Sequence, residues 1–526
     1  MIPDSRRVPN RRMQISRGCN LLICTLVATF LFVLSSCASV TPGKSRTGDE
    51  HQRSSDSVKS LRPLDCDVLI IGGGAGGLHT AFRLGQQHRY SVCLFEREAR
   101  LGGRIFDVSL DGTDTSPRFG VGARRIEPEQ PVLRGLAKEL GIDYNFVPYR
   151  DDLILLRGHH AFSKDEIAKL AYPCLAGLAK NTKGDSAVEN ALYKQLRRRH
   201  NLKDFPDFPS YVRATVGVEG YHYLLDTSHF RGDFEYPLDA RGYLDWLDED
   251  FTLDQTQAAY PVGGMSEFIR GMARDAETSG VRIFTAEPVT SLNETPSGYE
   301  ALTRDYRVNA RRVVIAVDAA ALPKIRGNVV QAIVKSPQYR QLIGVKVVTV
   351  TQWWPKAWWM KAYPGKDIRR LWTTDYCLNF MEIPVDPYGI NQLVTRTVYT
   401  DEMSCVALWE QLRATSLQSV DAEISRELRQ IFPKAEIPKP LKTYVQIWPD
   451  AWYWLKAGSR FSNADIAKWA INPIPGDAVY LVGESYNPQR STWSDGAYKS
   501  SIATLNAHFG FNLSTESTTA NSKPSQ

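Results

Sequence analysis

What this chain lacks narrows its function before any motif is considered. Its 64 Lys and Arg are nearly balanced by 58 Asp and Glu, leaving a net charge of +6. Part of that excess sits in Arg6, Arg7, Arg11, Arg12 and Arg17. No basic surface remains that would mark a nucleic-acid partner, and Arg197-Arg198-Arg199 reads as a solvated helix face. The 9 His show no ligand spacing, and the 8 Cys contain no C-x-x-C. Beyond the first 37 residues only Cys66, Cys93, Cys174, Cys377 and Cys405 remain, scattered and odd in number. Neither a metal site nor a disulfide framework is therefore expected. No segment recurs with a period of roughly 20–50 residues, which excludes solenoids and propellers. The apolar run Leu21–Leu34 holds 14 residues, short of the about 20 a membrane-spanning helix needs.

What is present begins with an export signal. A basic stretch precedes Leu21–Leu34, the layout of a signal peptide. Leu34-Ser35-Ser36-Cys37 resembles a bacterial lipobox, which implies cleavage before Cys37 and lipid on its sulfur. Ordinary cleavage nearby and an uncleaved anchor are the competing readings. Arg11-Arg12 is similar to a twin-arginine export signal, although Met13-Gln14 departs from the usual apolar residues. The reading is an exported envelope protein held to the membrane by a lipid anchor. The Ser-, Thr- and charge-rich stretch up to residue 63 serves as a flexible tether.

The chain is organised around Val68-Leu-Ile-Ile-Gly-Gly-Gly-Ala-Gly-Gly-Leu78. Val68–Ile71 reads as a buried strand, Leu78–Leu84 as a helix. Between them lies G-x-G-x-x-G at Gly72, Gly74 and Gly77. One glycine makes the turn, one admits a pyrophosphate, and one lets helix and strand pack. The helix start adds free N–H groups, so Gly72, Gly74, Ala75, Gly76 and Gly77 form the expected phosphate cradle. A second strand, Ser91–Phe95, ends in Glu96, whose carboxylate suits a ribose 2′-hydroxyl, with Arg97 beside it. Leu101-Gly-Gly103-Arg104 then offers a loop to close over the pyrophosphate, its guanidinium neutralising charge.

With Arg118-Phe-Gly-Val-Gly-Ala-Arg-Arg-Ile126, the run from Val68 to Ile126 resembles the N-terminal part of the flavin amine oxidase superfamily, which includes monoamine, polyamine and L-amino acid oxidases. The resemblance implies FAD as the dinucleotide. Tyr260-Pro-Val-Gly-Gly-Met265, Gly483-Glu484 and Trp493-Ser-Asp-Gly-Ala497 extend it. The implied fold is α/β: a Rossmann-type, glutathione-reductase-like FAD domain with an inserted α+β substrate domain that carries a helical insertion. The expected order is a signal peptide at 1–36, a tether at 37–63 and the first FAD part at 64–125. A helical, substrate-side insertion follows at 126–255, then the second FAD part at 256–324. The substrate domain takes 325–450, the third FAD part 451–510 and a disordered tail 511–526.

The same resemblance assigns roles. Backbone at Val289 faces the adenine, and Glu484, after Gly483, contacts the ribityl chain. Gly496 and Ala497 present N–H groups to the flavin, and Trp493 forms an aromatic wall beside it. Gly344–Thr351 resembles the strand that carries an active-site lysine, so Lys346 is expected to hold a water at flavin N5. A second aromatic comes from Trp448–Trp454; Tyr453 is chosen, with Trp452 and Trp454 as competitors. The absence of Cys there implies noncovalent FAD. Arg125, with Arg124 beside it, matches the arginine that pairs with the substrate carboxylate in L-amino acid oxidases. The implied reaction is oxidative deamination of an amine or L-amino acid, by hydride transfer to flavin N5 with O2 as acceptor. The alternatives are a desaturase or isomerase of the same superfamily acting on a hydrophobic substrate, and a non-catalytic flavin-binding envelope lipoprotein.

Overall fold

The computed structural model describes residues 60–515 apart from 114–117, 129, 149–150, 176, 179–185, 251–256, 364, 384–392 and 488–493. The export segment, Cys37, most of the tether and Trp493 lie outside the described residues.

Two seven-stranded sheets dominate. In the first, Arg62–Ile71 lies between Tyr306–Ile315 and Val92–Phe95, all parallel. Arg282–Phe284 continues the sheet beyond Val92–Phe95, and Val479–Leu481 runs beside the end of Tyr306–Ile315. The hairpin Ser291–Thr295 and Gly298–Leu302 completes one edge. Val68–Ile71 and Val92–Phe95 are fully buried, because helices cover both faces of a parallel sheet. Ala75–Gln87, Ser266–Thr278 and Ser494–His508 pack on one face. Asn328–Lys335 and Asn463–Ala470 pack on the other.

The second sheet has the order Lys442–Leu455, Leu342–Trp353, Val394–Thr400, Phe380–Glu382, Ile368–Thr373, Asp151–Leu156 and His159–Ala161. Its faces differ in kind. Leu153, Leu155, Val348, Val350, Leu371, Met381 and Val398 make an apolar face under helices Met403–Thr415 and Leu417–Ile431. Side chains alternate along a strand, so Trp372 and Arg370, like Phe380 and Glu382, share the opposite face. A register shift opposite Val350 and Thr351 brings Arg396 and Tyr399 onto that face too. This charged and aromatic face looks toward the helical insertion and the loop around Arg124.

The structure amends several expectations. Asp151–Leu156 and His159–Ala161 are strands of the second sheet, not part of a helical insertion; Asp151–Leu156 pairs with Ile368–Thr373, more than two hundred residues later. The boundary expected at 450/451 falls inside the strand Lys442–Leu455. Helix Phe208–Thr227, kinked at Gly217, holds Pro209 in its first turn, where proline is tolerated, after an Asp207 cap that accepts from Ser210 N at 2.7 Å. Met403–Thr415 and Leu417–Ile431 are separate helices that meet at Ser416. Ser163 caps Lys164–Ala171, accepting from Glu166 N at 3.1 Å.

The cysteine reading is overturned. Cys66 pairs with Cys93 and Cys377 with Cys405, while Cys174 is free and exposed. The separations of 27 and 28 residues carry no local signal. Adjacent parallel strands bring the first pair together. The second ties the loop before Phe380 to helix Met403–Thr415.

Candidate active site

The glycine turn has the shape its sequence requires. Gly72 has φ +106°, and a Cβ there would lie 2.6 Å from Ala316 O. A Cβ on Gly77 would collide with Gly72 O, so helix and strand meet backbone to backbone. A Cβ on Gly74 would meet nothing within 4 Å: the turn is open on that side. Helix Ala75–Gln87 starts there with no side-chain cap and no acidic residue in its first turn. Its free N–H groups and positive dipole end therefore face open space, which fits a pyrophosphate.

The flanking segments close around this turn. Gly102 N donates to Gly73 O at 2.8 Å, laying the Gly102-Gly103 loop against it. Glu96 Oε2 accepts from Gly73 N at 2.7 Å and Oε1 from Glu98 N at 2.8 Å, which fixes the carboxylate beside the cradle. Glu287 N donates to Glu96 O at 2.9 Å, bringing the loop that carries the buried Val289 alongside. A Cβ on Gly76 would lie 2.7 Å from Val482 Cγ1, 3.3 Å from Ala497 O and 3.6 Å from Gly483 N. The two ends of the chain thus converge at one helix start, with Gly496 and Ala497 in the first turn of Ser494–His508. Arg104 donates to Glu484 Oε2 at 3.1 Å and to Ala451 O at 2.8 Å. Burial alone would lower the Arg104 pKa; Glu484 beside it holds the guanidinium firmly charged.

Other expected residues stand elsewhere. Arg97 is exposed and paired with Glu98 at 2.9 Å, outside the cradle. Lys346 sits on the helix-covered face of its strand. Its ammonium pairs with Glu410 at 2.8 Å, and it is about one-third exposed. The reason is the two-residue period: Val348 and Val350 share that face, while Thr349 points the other way, its hydroxyl donating to Val121 O at 3.4 Å. Tyr453 is also turned aside. Its ring is 3 % exposed, and its hydroxyl contacts Asp318 and accepts from Ala320 N at 2.9 Å. The less covered aromatics of that run are Trp448, which donates to Val121 O at 2.9 Å, and Trp452, edge-on to Phe230 at 5.4 Å. Trp454 is buried against Tyr243 and Trp246.

Arg125 is half-buried and paired with Glu127. Its neighbour Arg124 enters a cluster that sequence reading missed. Glu382 accepts from Arg124 through Oε1 and from Arg396 through Oε2 at 2.6 Å. Tyr260 joins at 3.2 Å to both Arg124 and Glu382. Burial would raise the Glu382 pKa, but Arg124 and Arg396 hold it at about 2. Nearby, His229 lies among Phe230, Trp372, Phe380 and Tyr399 at 3.9–6.5 Å between ring centres. It makes no hydrogen bond with the described residues. Burial, then Arg125, Lys164, Arg396 and Arg370, push its pKa well below the usual value, so the ring is neutral. No local signal marks this cluster, because its members come from four separate segments.

A family model described as flavin containing amine oxidoreductase matches residues 75–504. Amine oxidase [flavin-containing] A of Bos taurus is 31% identical over 107 residues, which is 20% of this chain and only 19% of that protein. Aplysianin-A of Aplysia kurodai is 21% identical across 89% of this chain and 94% of its own. A putrescine oxidase solved with putrescine bound superposes with a TM-score of 0.64 at 16% identity, covering 85% of this chain and all of that one.

Proposed function

The chain belongs to the flavin-containing amine oxidoreductase family, an FAD-dependent enzyme family, and from that premise we propose an oxidase that deaminates a small amine or L-amino acid. The carrying observation is the convergence at Gly76, where the glycine turn, Gly483 and Ala497 meet in front of a helix start free to bind phosphate. Bound FAD supplies the acceptor for the hydride on the amine-bearing carbon, and dioxygen is the proposed final acceptor, leaving as peroxide. The chain's own residues bind and orient. The cradle N–H groups hold the pyrophosphate, and Glu96 is placed for the ribose. Trp448, Trp452 and Phe230 keep water from the reacting amine. No side-chain base is required, since the proton of the amine is lost before the hydride leaves. The imine product hydrolyses to a carbonyl compound and ammonia. FAD is held noncovalently, because Trp448–Trp454 offers no Cys. Trp493 walls the flavin site, whereas Lys346, paired with Glu410 on the helix-covered face of its strand, holds no water there.

We also propose that the protein works outside the cytosol, exported by residues 1–36 and tethered through Cys37. Two disulfides in the folded part support this, since such bonds persist in oxidising compartments. Purified protein should be yellow, and its visible spectrum should bleach anaerobically with a member of a panel of amines and L-amino acids. Peroxide should appear on admitting air. Colourless protein, or a spectrum unmoved by every compound, refutes the oxidase.

A further inference from the structure

We propose that His79 is a positioning residue for the cofactor: through Ser501 and Thr80 it locks the helix start that carries Gly496 and Ala497 against the glycine turn. This needs only the FAD of the family, not the substrate class proposed above.

Helices Ala75–Gln87 and Ser494–His508 pack against each other, and an apolar contact would serve for that alone. Instead His79, Thr80 and Ser501 lie in the contact, each fully buried. Burying an imidazole and two hydroxyls is costly unless their protons find acceptors. Here each proton has one place to go. Thr80 Oγ1 donates to Gly76 O at 2.8 Å, which commits its single proton. Thr80 must then accept from Ser501 Oγ, 2.8 Å away. That commits the Ser501 proton, so Ser501 accepts from His79 Nδ1 at 2.9 Å. With its proton on Nδ1, the ring offers Nε2 as an acceptor, and Arg83 Nε donates to it at 3.2 Å. A guanidinium can only donate, so the direction read from this end is the same. Arg83 is itself held by Glu139 of helix Pro131–Leu140 through two bonds of 2.7 Å. Burial and the Arg83 charge push the His79 pKa down to about 3, so the ring keeps its neutral form.

The relay ends at the cofactor cradle. Gly76 belongs to the first turn of the phosphate-facing helix. Ser501 stands one turn after Ala497 on the other helix, and a Cβ on Gly76 would lie 3.3 Å from Ala497 O. Ser500, next to Ser501, accepts from Gly483 N at 3.2 Å. Directed hydrogen bonds, and not packing alone, therefore fix where the two helix starts meet. The successive N–H and O–H dipoles also point their positive ends toward Gly76, adding to the helix dipole at the pyrophosphate.

The test follows release of FAD from holoenzyme in a mild chaotrope, read from the fluorescence of the freed cofactor at one temperature below every melting point. Thr80→Val keeps the side-chain shape and removes the last donor; Ser501→Ala removes the middle one. Each should release FAD about 10-fold faster than wild type, the effect of one buried hydrogen bond. His79→Leu should match them. His79→Asn, whose amide can still donate to Ser501, should return most of the way to wild type. A relay broken once is broken, so Thr80→Val combined with His79→Leu should release FAD no faster than the faster single variant. Variants that lose melting temperature but release FAD at the wild-type rate show a mere clamp between helices and overturn the proposal. Effects that multiply in the double variant, or a His79→Asn as fast as His79→Leu, overturn it too. No substrate enters the assay, so refutation of the oxidase reading would leave this result standing.

Discussion

Glu382→Gln probes the buried cluster most directly. The carboxylate receives Arg124, Arg396 and Tyr260, so its neutral analogue leaves two guanidiniums unmatched inside the protein. The Glu382 pKa is held at about 2 against a usual 4.5. That gap corresponds to about 3 kcal/mol favouring the ionised form in the folded state, and removing one partner of a buried pair costs about 3–5 kcal/mol. A folded unit of roughly 450 residues has an unfolding entropy near 1 kcal/mol/K. Glu382→Gln should therefore melt about 3–5 °C below wild type at pH 7. Adding Arg396→Gln should recover part of the loss, because one stranded charge remains instead of two. The sign with pH follows from a depressed carboxyl. The stabilisation is complete above pH 4.5 and fades as pH falls toward 2. Differential scanning fluorimetry of both variants from neutral to acid pH measures it. If Glu382→Gln melts with wild type at pH 7, or the double variant is worse than the single, the ion cluster does not hold this face together.

Three further outcomes follow from other parts of the molecule. Gly77→Ala drives a methyl into Gly72 O; the protein should purify with little flavin, checked by its ratio of visible to ultraviolet absorbance, and full occupancy would refute the turn geometry. Lys346→Met removes a pair with Glu410 that is about one-third exposed, worth no more than about 1 kcal/mol. Stopped-flow reoxidation of the reduced flavin should match wild type, and a large slowing would return Lys346 to the oxygen chemistry. Replacing Cys377 and Cys405 by Ser opens a loop of 28 residues, which chain entropy values at about 3–4 kcal/mol. Urea unfolding should shift accordingly, and an unchanged midpoint would show that the bond is not formed in solution.

Local sequence was enough where local physics decides. An apolar run entering three glycines in G-x-G-x-x-G order dictates strand, tight turn and open helix start, because only glycine tolerates the φ of Gly72 and the contact at Gly77. Resemblance then pointed to segments from both ends of the chain, and Gly76 is where they meet. The rest depended on which strands became neighbours. Whether a strand residue faces the covering helices or the charged and aromatic face is set by parity and by bulges, so Lys346 and Thr349, three positions apart, look opposite ways. The same rule turned Tyr453 toward Asp318 and left Trp452 beside Phe230. Arg124, Glu382 and Arg396 are unremarkable charges along the chain. Folding removes them from water together, and in that low-dielectric setting their mutual attraction ties the loop of Arg124 to the second sheet.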